Sequence, residues 1–201
     1  MLRLLLGTHN PGKQAELRAL LEGQNLEIVT IDDLGIELEI EESGATYAEN
    51  ARLKAVSYAV ESGLWSLSDD SGLEVEALDG APGLKSARFA GEGKSDSDRR
   101  QRLLEILKDH PRPWEAQFRA AVALASPSGE VELAEGRCAG EIIPEERGVS
   151  GFGYDFIFLT HGTGKTMADL EMGEKNRISH RARAIEALRP ILVLRLDLTD
   201  R

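Results

Sequence analysis

The chain of 201 residues has a single cysteine, Cys138, so no internal disulfide can form. That scarcity fits a reducing compartment and points to a cytoplasmic protein. Nothing near Cys138 marks a base that would activate the thiol, so a buried, inert side chain is expected there. Long apolar runs are also missing. None approaches the roughly 18 residues needed to span a bilayer, and Met1–Leu6 is too short for a signal-peptide core before Gly7 interrupts it. Positive charge is the third shortage: 24 Lys and Arg stand against 35 Asp and Glu, a formal net charge of −11. This argues against nucleic acid and membrane as partners, because both bind through a broad basic face. A small phosphorylated ligand remains compatible, since a few cations make one pocket positive on an acidic protein. Low-complexity tracts, long linkers and internal repeats are absent as well. One domain over residues 1–201, or two lobes sharing a core, is therefore expected.

A hydrophobic content of 41% supplies that core. Leu2–Leu6 is a continuous apolar run ending at glycine and predicts a buried strand. Lys13–Glu22 carries Leu17, Leu20 and Leu21 at helical spacing, with Gly23 as its stop, and Leu26–Ile31 is a second strand candidate. Thr46 and Glu49 spell a T-x-x-E capping box. It opens a helix with Ala51, Ala55, Tyr58 and Ala59 on one face, Asn50 and Lys54 four apart on another, and Gly63 at the end. Leu64–Ser68 predicts a short strand, with Asp69-Asp70-Ser71-Gly72 at its C-terminal end. Ser97–Asp109 is a helix with Leu103, Leu104 and Leu107 inward, stopped by Pro111 and Pro113. Ala116, Phe118, Ala120, Val122 and Leu124 then alternate, Ser126–Gly129 turns, and Val131 with Leu133 resumes the alternation, the pattern of a hairpin. Phe156–Leu159 is a further strand and Ile178–Leu188 a helix up to Pro190. Crossover and hairpin strands mixed with helices imply an α/β fold with a mixed sheet, whose strand order the sequence leaves open.

Several segments hold residues able to do chemistry. Gly7-Thr8-His9-Asn10-Pro11-Gly12-Lys13 follows a strand, opens a helix and satisfies G-x-x-x-x-G-K. Gln14 stands where a P-loop needs Ser or Thr for magnesium, and Pro11 has no N–H to offer a phosphate, so a standard P-loop is not expected. Backbone donors, a helix N-terminus and Lys13 still make a place for an anion. Gly162-Thr-Gly-Lys-Thr166 lacks the first glycine of that pattern and reads as a surface turn. The adjacent carboxylates Asp69 and Asp70 repel unless a cation or hydrogen bonds offset them, and magnesium is one reason to keep such a pair. A solvated bend uses the same residue types. Among the acids of Glu37–Glu42, spacing does not choose one as a further metal ligand, although Glu42 lies nearest the capped helix. Gly151-Phe152-Gly153-Tyr154-Asp155 could stack and edge-bond a base, or simply pack its aromatics in the core. Lys175 to Arg181 clusters cations that could equally form a solvated helix face.

Taken in order, these segments resemble the inosine triphosphate pyrophosphatase family, the non-canonical purine nucleoside triphosphate pyrophosphatases. The resemblance rests on T-x-N-x-x-K (Thr8, Asn10, Lys13), E-N-A-x-x-K-A (Glu49 to Ala55), D-D-S-G-L (Asp69 to Leu73), G-A-P-G (Gly80 to Gly83), S-A-R-F-A-G (Ser86 to Gly91), F-G-Y-D (Phe152 to Asp155) and S-H-R (Ser179 to Arg181). It implies an elongated mixed α/β fold of two lobes around a substrate cleft, usually as a homodimer. It implies hydrolysis of ITP, dITP and XTP to the monophosphate and pyrophosphate. Asp70 would be general base and magnesium ligand, with Asp69 and Glu42 supporting the metal. Thr8, His9, Asn10, Pro11, Gly12, Lys13 and Lys54 match triphosphate-binding positions, and Ser71 a substrate contact. Phe152, Gly153, Tyr154, Asp155, Lys175, His180 and Arg181 match base-recognition positions. Phe156, where proline is common, and Lys85, where an aromatic is common, depart from the pattern. Two rivals stand beside this reading: a pyrophosphatase for other modified or canonical nucleotides, and a non-catalytic nucleotide-binding regulator.

Overall fold

The apolar run at the start forms β1 (Leu2–Leu6) as expected, and the computed structural model describes residues 1–198. Next come α1 (Pro11–Leu20), β2 (Leu26–Thr30), α2 (Tyr47–Ser62), β3 (Trp65–Val75), α3 (Asp96–Leu107) and β4 (Trp114–Ala125). They are followed by β5 (Val131–Ile142), β6 (Phe158–Thr160), α4 (Met172–Ile178) and α5 (His180–Arg195). The strands are hydrogen-bonded in the order β2-β1-β3-β4-β5-β6. β1 is parallel to both neighbours, with Leu4 opposite Ile28 on one side and Trp65 on the other. Parallel pairs need crossovers, which α1 and α2 supply. β6 is antiparallel to β5, with Gly140 opposite Thr160, so the sheet is mixed as the sequence implies.

The described chain divides into two compact units. The first holds Met1–Asp70, Ala120–Gly136 and the chain from His180 onward; the second holds Ser71–Arg119 and Arg137–Ser179. Each has its own core. In the first, Leu4, Leu6 and Leu67 pack with Leu17 and Leu21 of the α1 segment and with Ile185, Leu188 and Leu192 of α5. Leu5 points the other way and joins Val29, Ile31 and Tyr58 of α2. Thus alternate residues of β1 serve helices on opposite faces. In the second unit Leu73, Val75, Leu103, Leu107, Phe118, Ile142 and Phe158 form the core, with Cys138 buried among them as expected.

Several boundaries differ from expectation. α1 starts at Pro11 rather than Lys13, because Asn10 caps it by accepting from Lys13 N and proline is well suited to the first helical position. β3 does not stop at Ser68 but continues to Val75, so Asp69-Asp70-Ser71-Gly72 lies within a strand. Asp, Ser and Gly are poor strand formers, but β3, paired with β1 over Trp65–Leu67, also has β4 as its other neighbour in the strand order. Strand β6 begins only at Phe158, after a short 3-10 turn over Asp155–Ile157. The helix expected over Ile178–Leu188 starts at His180, after Ser179 in extended conformation and a separate α4, and Pro190 lies inside α5 rather than ending it. An interior proline costs roughly 3 kcal/mol, but Leu188 and Leu192 on either side of it are buried in the core and hold the helix on course. The Thr46 cap of α2 is as expected, although Glu49 reaches the N–H of Ala45 rather than that of Thr46.

α5 packs on β5 at Gly136. A Cβ there would lie 2.2 Å from the carbonyl oxygen of His180 and 2.5 Å from the amide of Ala184. Backbone cannot yield as a side chain does, so Gly136→Ala must displace α5. Overpacking of this kind typically costs about 1–3 kcal/mol. A lower urea midpoint is expected for Gly136→Ala, while Gly173→Ala in α4, where a Cβ meets nothing within 4 Å, should leave it unchanged or raise it.

Candidate functional site

The alternation of β3 sends Asp69 and Asp70 to opposite faces. Asp69 follows Leu67 onto the side of α1 and α5 and is fully buried. Its Oδ2 accepts from Arg181 Nε at 3.0 Å and Nη2 at 2.8 Å, and lies 3.2 Å from Lys13 Nζ. Glu16 of α1 accepts from the remaining guanidinium nitrogen, Nη1 of Arg181. Burial alone would raise the pKa of Asp69, but Arg181, Lys13 and Lys54 outweigh it and hold the carboxyl well below the usual range. Burial lowers the pKa of Lys13, helped by Lys54 and Arg181 and opposed by the two aspartates. Asp69 Oδ1 is buried without a hydrogen-bond partner.

Asp70 follows Ser66 and Ser68 onto the α2 side. Its Oδ2 accepts from Asn50 Nδ2 at 3.0 Å, and its Oδ1 from Lys54 Nζ at 3.3 Å. Lys54 also donates to Glu42 Oε1 at 2.5 Å, so one ammonium joins two carboxylates. Asn50 in turn accepts from Gly44 N at 2.8 Å, tying the segment after Glu42 to α2. Here burial wins: it raises the pKa of Asp70, with Glu42 adding to it and Lys54, Lys13 and Asn50 opposing. For Lys54 burial pulls down, but Asp70, Asp69 and Glu42 together raise its pKa. Two carboxylates one residue apart therefore have pKa values driven in opposite directions, a pattern that separates acid–base roles.

The loop before α1 is held by its own side chains. Asn10 N donates to Thr8 Oγ1 at 3.2 Å, and Gln14 Nε2 donates to Thr8 O at 2.8 Å. Gln14, which a P-loop would not have, thus fixes the loop itself. Pro11 and Gly12 form the first turn of α1. His9 is half exposed, with Nδ1 3.5 Å from Asp32 and its ring edge-on to Tyr58. His180 is buried at the start of α5.

The second unit carries the other group. Phe152 N donates to Asp155 Oδ2 at 3.0 Å, which also accepts from Lys175 Nζ at 2.6 Å, and the ammonium lies 5.4 Å from the Phe152 ring. Tyr154 is buried and donates its hydroxyl to Ser86 O at 3.0 Å; burial pushes its pKa up. Gly153 donates to Asp96 and accepts from Arg100. Ser71 is half-buried in β3.

The structure therefore groups Thr8, Asn10, Lys13, Glu42, Lys54, Asp69, Asp70 and Arg181 in the first unit, and Phe152 to Asp155 with Lys175 in the second. The cations at Lys175 and Arg181 are buried ion-pair partners, not a solvated face. Four participants carried no role in the sequence. Asn50 was marked by its spacing from Lys54 and its place in E-N-A-x-x-K-A but given no role, and Glu16 lies three residues after Lys13 on α1. Asp96 and Arg100 lie four apart on α3, where the leucine face drew the attention. Acids and bases at helical spacing usually face solvent, so only long-range pairing could have exposed them.

Among the described residues no three His, Cys, Asp or Glu side chains cluster so as to hold a metal ion by themselves. Glu42 and Asp70 nevertheless converge on one cation, the Lys54 ammonium. Two carboxylates sharing a cation suit magnesium, which takes one or two protein oxygens and completes its shell with phosphate and water. Asp69 Oδ1, on the opposite face of β3, is a carboxylate oxygen without a hydrogen-bond partner. Glu16, Glu42, Asp69 and Asp70 outnumber Lys13, Lys54 and Arg181 by one charge, so a triphosphate needs additional positive charge here.

Known proteins of the same build exist. A model of the Ham1 family matches residues 4–191. The chain is 44% identical over 192 residues to a dITP/XTP pyrophosphatase of Desulforamulus reducens, covering 95% of this chain and 96% of that one. It is 42% identical over 193 residues to a dITP/XTP pyrophosphatase of Bacillus subtilis, covering 96% and 98%. A solved HAM1 protein from Coxiella burnetii superposes with a TM-score of 0.86 at 38% identity, covering 96% of this chain and all of that one. A single family match spanning both units, with such relatives aligned nearly end to end, establishes that the chain belongs to the Ham1 family.

Proposed function

We propose that the chain is a nucleoside triphosphate pyrophosphohydrolase acting on dITP, XTP and ITP, which it converts to the monophosphate and pyrophosphate. The names of the relatives support the substrate class. The chemistry is carried by Asp70, a carboxylate whose pKa burial raises, hydrogen-bonded between Asn50 and Lys54. Asp70 orients a water and takes its proton as the oxygen attacks the α-phosphorus and pyrophosphate leaves. A carboxylate above its ordinary pKa is a better base than one held far below it, which assigns this role to Asp70 and not to Asp69. Asp69, fixed by Arg181, positions Lys13, and Lys13 and Lys54 hold the triphosphate. Glu42 and Asp70 would hold magnesium, with Asp69 in support, and the ion supplies charge neutralisation on the phosphate oxygens. Thr8, His9, Asn10, Pro11 and Gly12 supply the anion-binding turn, and Ser71 a further contact to substrate.

Phe152 to Asp155 and Lys175, with His180 and Arg181, belong to base recognition in this reading. A 6-keto purine accepts hydrogen bonds where adenine donates them, so donors facing that position leave adenine unpaired. All three guanidinium nitrogens of Arg181 are engaged by Asp69 and Glu16, so its influence on the base is through position. Both units work as one domain, which the single family match over residues 4–191 supports. A homodimer is the expectation of the family resemblance, and a cytoplasmic location that of the single cysteine.

A panel of dITP, XTP, ITP, GTP and ATP with magnesium should give monophosphate and pyrophosphate, fastest with the first three. Orthophosphate as sole first product would mean attack at the γ-phosphorus and would overturn the reaction class. Asp70→Asn should lower kcat by about 10²–10⁴-fold, the range of a lost general base, with an unchanged far-UV circular dichroism spectrum; near-normal turnover would remove Asp70 from the role. The two aspartates also predict a pH window. Because the pKa of Asp70 is raised, the acid limb of kcat/KM should lie above the ordinary aspartate value of about 3.9. Asp69, whose pKa is depressed, contributes stability above that value and loses it only as pH falls through its lowered pKa. Acid should thus first inactivate the protein reversibly, with unfolding monitored by circular dichroism only at lower pH.

A further inference from the structure

Gly153 lies in the middle of the Phe152–Asp155 loop with a positive φ of 58°. Such a glycine is a natural point of rotation for the residues on either side. In this chain both of its hydrogen-bonding groups are taken by one helix. Gly153 N donates to Asp96 Oδ2 at 2.7 Å, and Gly153 O accepts from Arg100 Nη1 at 2.8 Å. Asp96 and Arg100 are four apart on α3 and so share a face of it. Arg100 is itself held: Nε and Nη2 donate to the two oxygens of Glu146 at 2.9 and 3.0 Å, and its guanidinium carbon lies 4.7 Å from the centre of the Phe156 ring. Asp96 is held by Arg99. The guanidinium thus makes a two-bonded fork to a carboxylate, a bond to the loop carbonyl and a stacking contact with the residue that ends the loop. No other cationic side chain offers this set at one planar group.

Resting on the reading that the Phe152–Asp155 loop meets the purine, we propose that Arg100, with Asp96, is the positioning residue that sets base selectivity. It touches no substrate. It fixes the two peptide groups around Gly153, and through them the Phe152 ring on one side and the buried Tyr154 on the other. Tyr154 is anchored independently by its bond to Ser86 O, and Phe152 N by Asp155. Gly153 is therefore the joint between two anchored residues, and the α3 pair removes its freedom. A donor selects a keto group over an amino group only while its direction is fixed, so loss of the clamp should blur discrimination before it slows the chemistry.

The test compares the full-length protein with Arg100→Met, which keeps the chain length without the fork, and Arg100→Lys, which keeps charge toward Glu146 but not the planar geometry. For each, kcat and KM are measured with dITP and dATP, and inhibition with inorganic tripolyphosphate, which has no base. KM for dITP should rise about tenfold in Arg100→Met, the preference for dITP over dATP should shrink, and kcat and the tripolyphosphate inhibition constant should stay within about twofold. Lysine should restore little of the preference. Asp96→Ala, which releases the other side of Gly153, should shift selectivity in the same direction and serves if the Arg100 variants fail to fold. An unchanged dITP-to-dATP ratio in folded variants would overturn the proposal, as would a parallel change in kcat and tripolyphosphate inhibition. Absence of dITP turnover in the unaltered protein would overturn the functional reading and this inference with it.

Discussion

Neighbouring residues of a strand point to opposite faces, and at Asp69 and Asp70 of β3 that simple alternation gives two carboxylates separate surroundings. In a turn the pair would share one environment and repel. In the strand, Asp69 goes under α1 and α5 to the fork of Arg181, and Asp70 goes to Asn50 and Lys54 of α2. Removing one member of a buried ion pair typically costs about 3–5 kcal/mol, because the other charge is left uncompensated. Asp69 is therefore committed to the structure. Asp70 has weaker opposition to its burial, which raises its pKa. The strand period, rather than any special residue, divides the labour.

The rest of the first unit serves that division. α1 contributes Lys13 and Glu16 one turn apart, and α5 comes close enough to deliver Arg181 because Gly136 lets its backbone approach. α2 contributes Asn50 and Lys54, also one turn apart. α1 and α2 thus each present a pair of polar groups at helical spacing, one on either side of β3, and α5 adds Arg181. The second unit repeats this economy on a loop: α3 presents Asp96 and Arg100 to the two peptide groups of Gly153, and α4 presents Lys175 to Asp155.

Much of this was legible in the sequence where local rules act alone. Leu2–Leu6, the Thr46 cap, the Gly63 stop and the hairpin after Trp114 came out as their periods and caps dictate. The ordered motifs brought out the family and most of the residues now seen around Asp69 and Asp70. What stayed hidden was long-range. Asp-Asp-Ser-Gly reads as a bend, because strand propensity cannot register a neighbouring strand. Pro190 reads as a helix stop, because propensity cannot register Leu188 and Leu192 in a core. Glu16, Asn50, Asp96 and Arg100 carry no role in the sequence, because each acts through a partner tens of residues away, 165 positions for Glu16 and Arg181.

The central claim is that Asp69 is locked as a carboxylate while Asp70 is poised as a base. Titration of the two side-chain carboxyls by carbon NMR, in protein labelled at aspartate and free of added metal, tests it most directly. Asp70 should protonate above the ordinary aspartate value of about 3.9, and Asp69 should remain ionised well below it. Asp69 protonating at the higher pH of the two, or both titrating together near the ordinary value, would contradict the account.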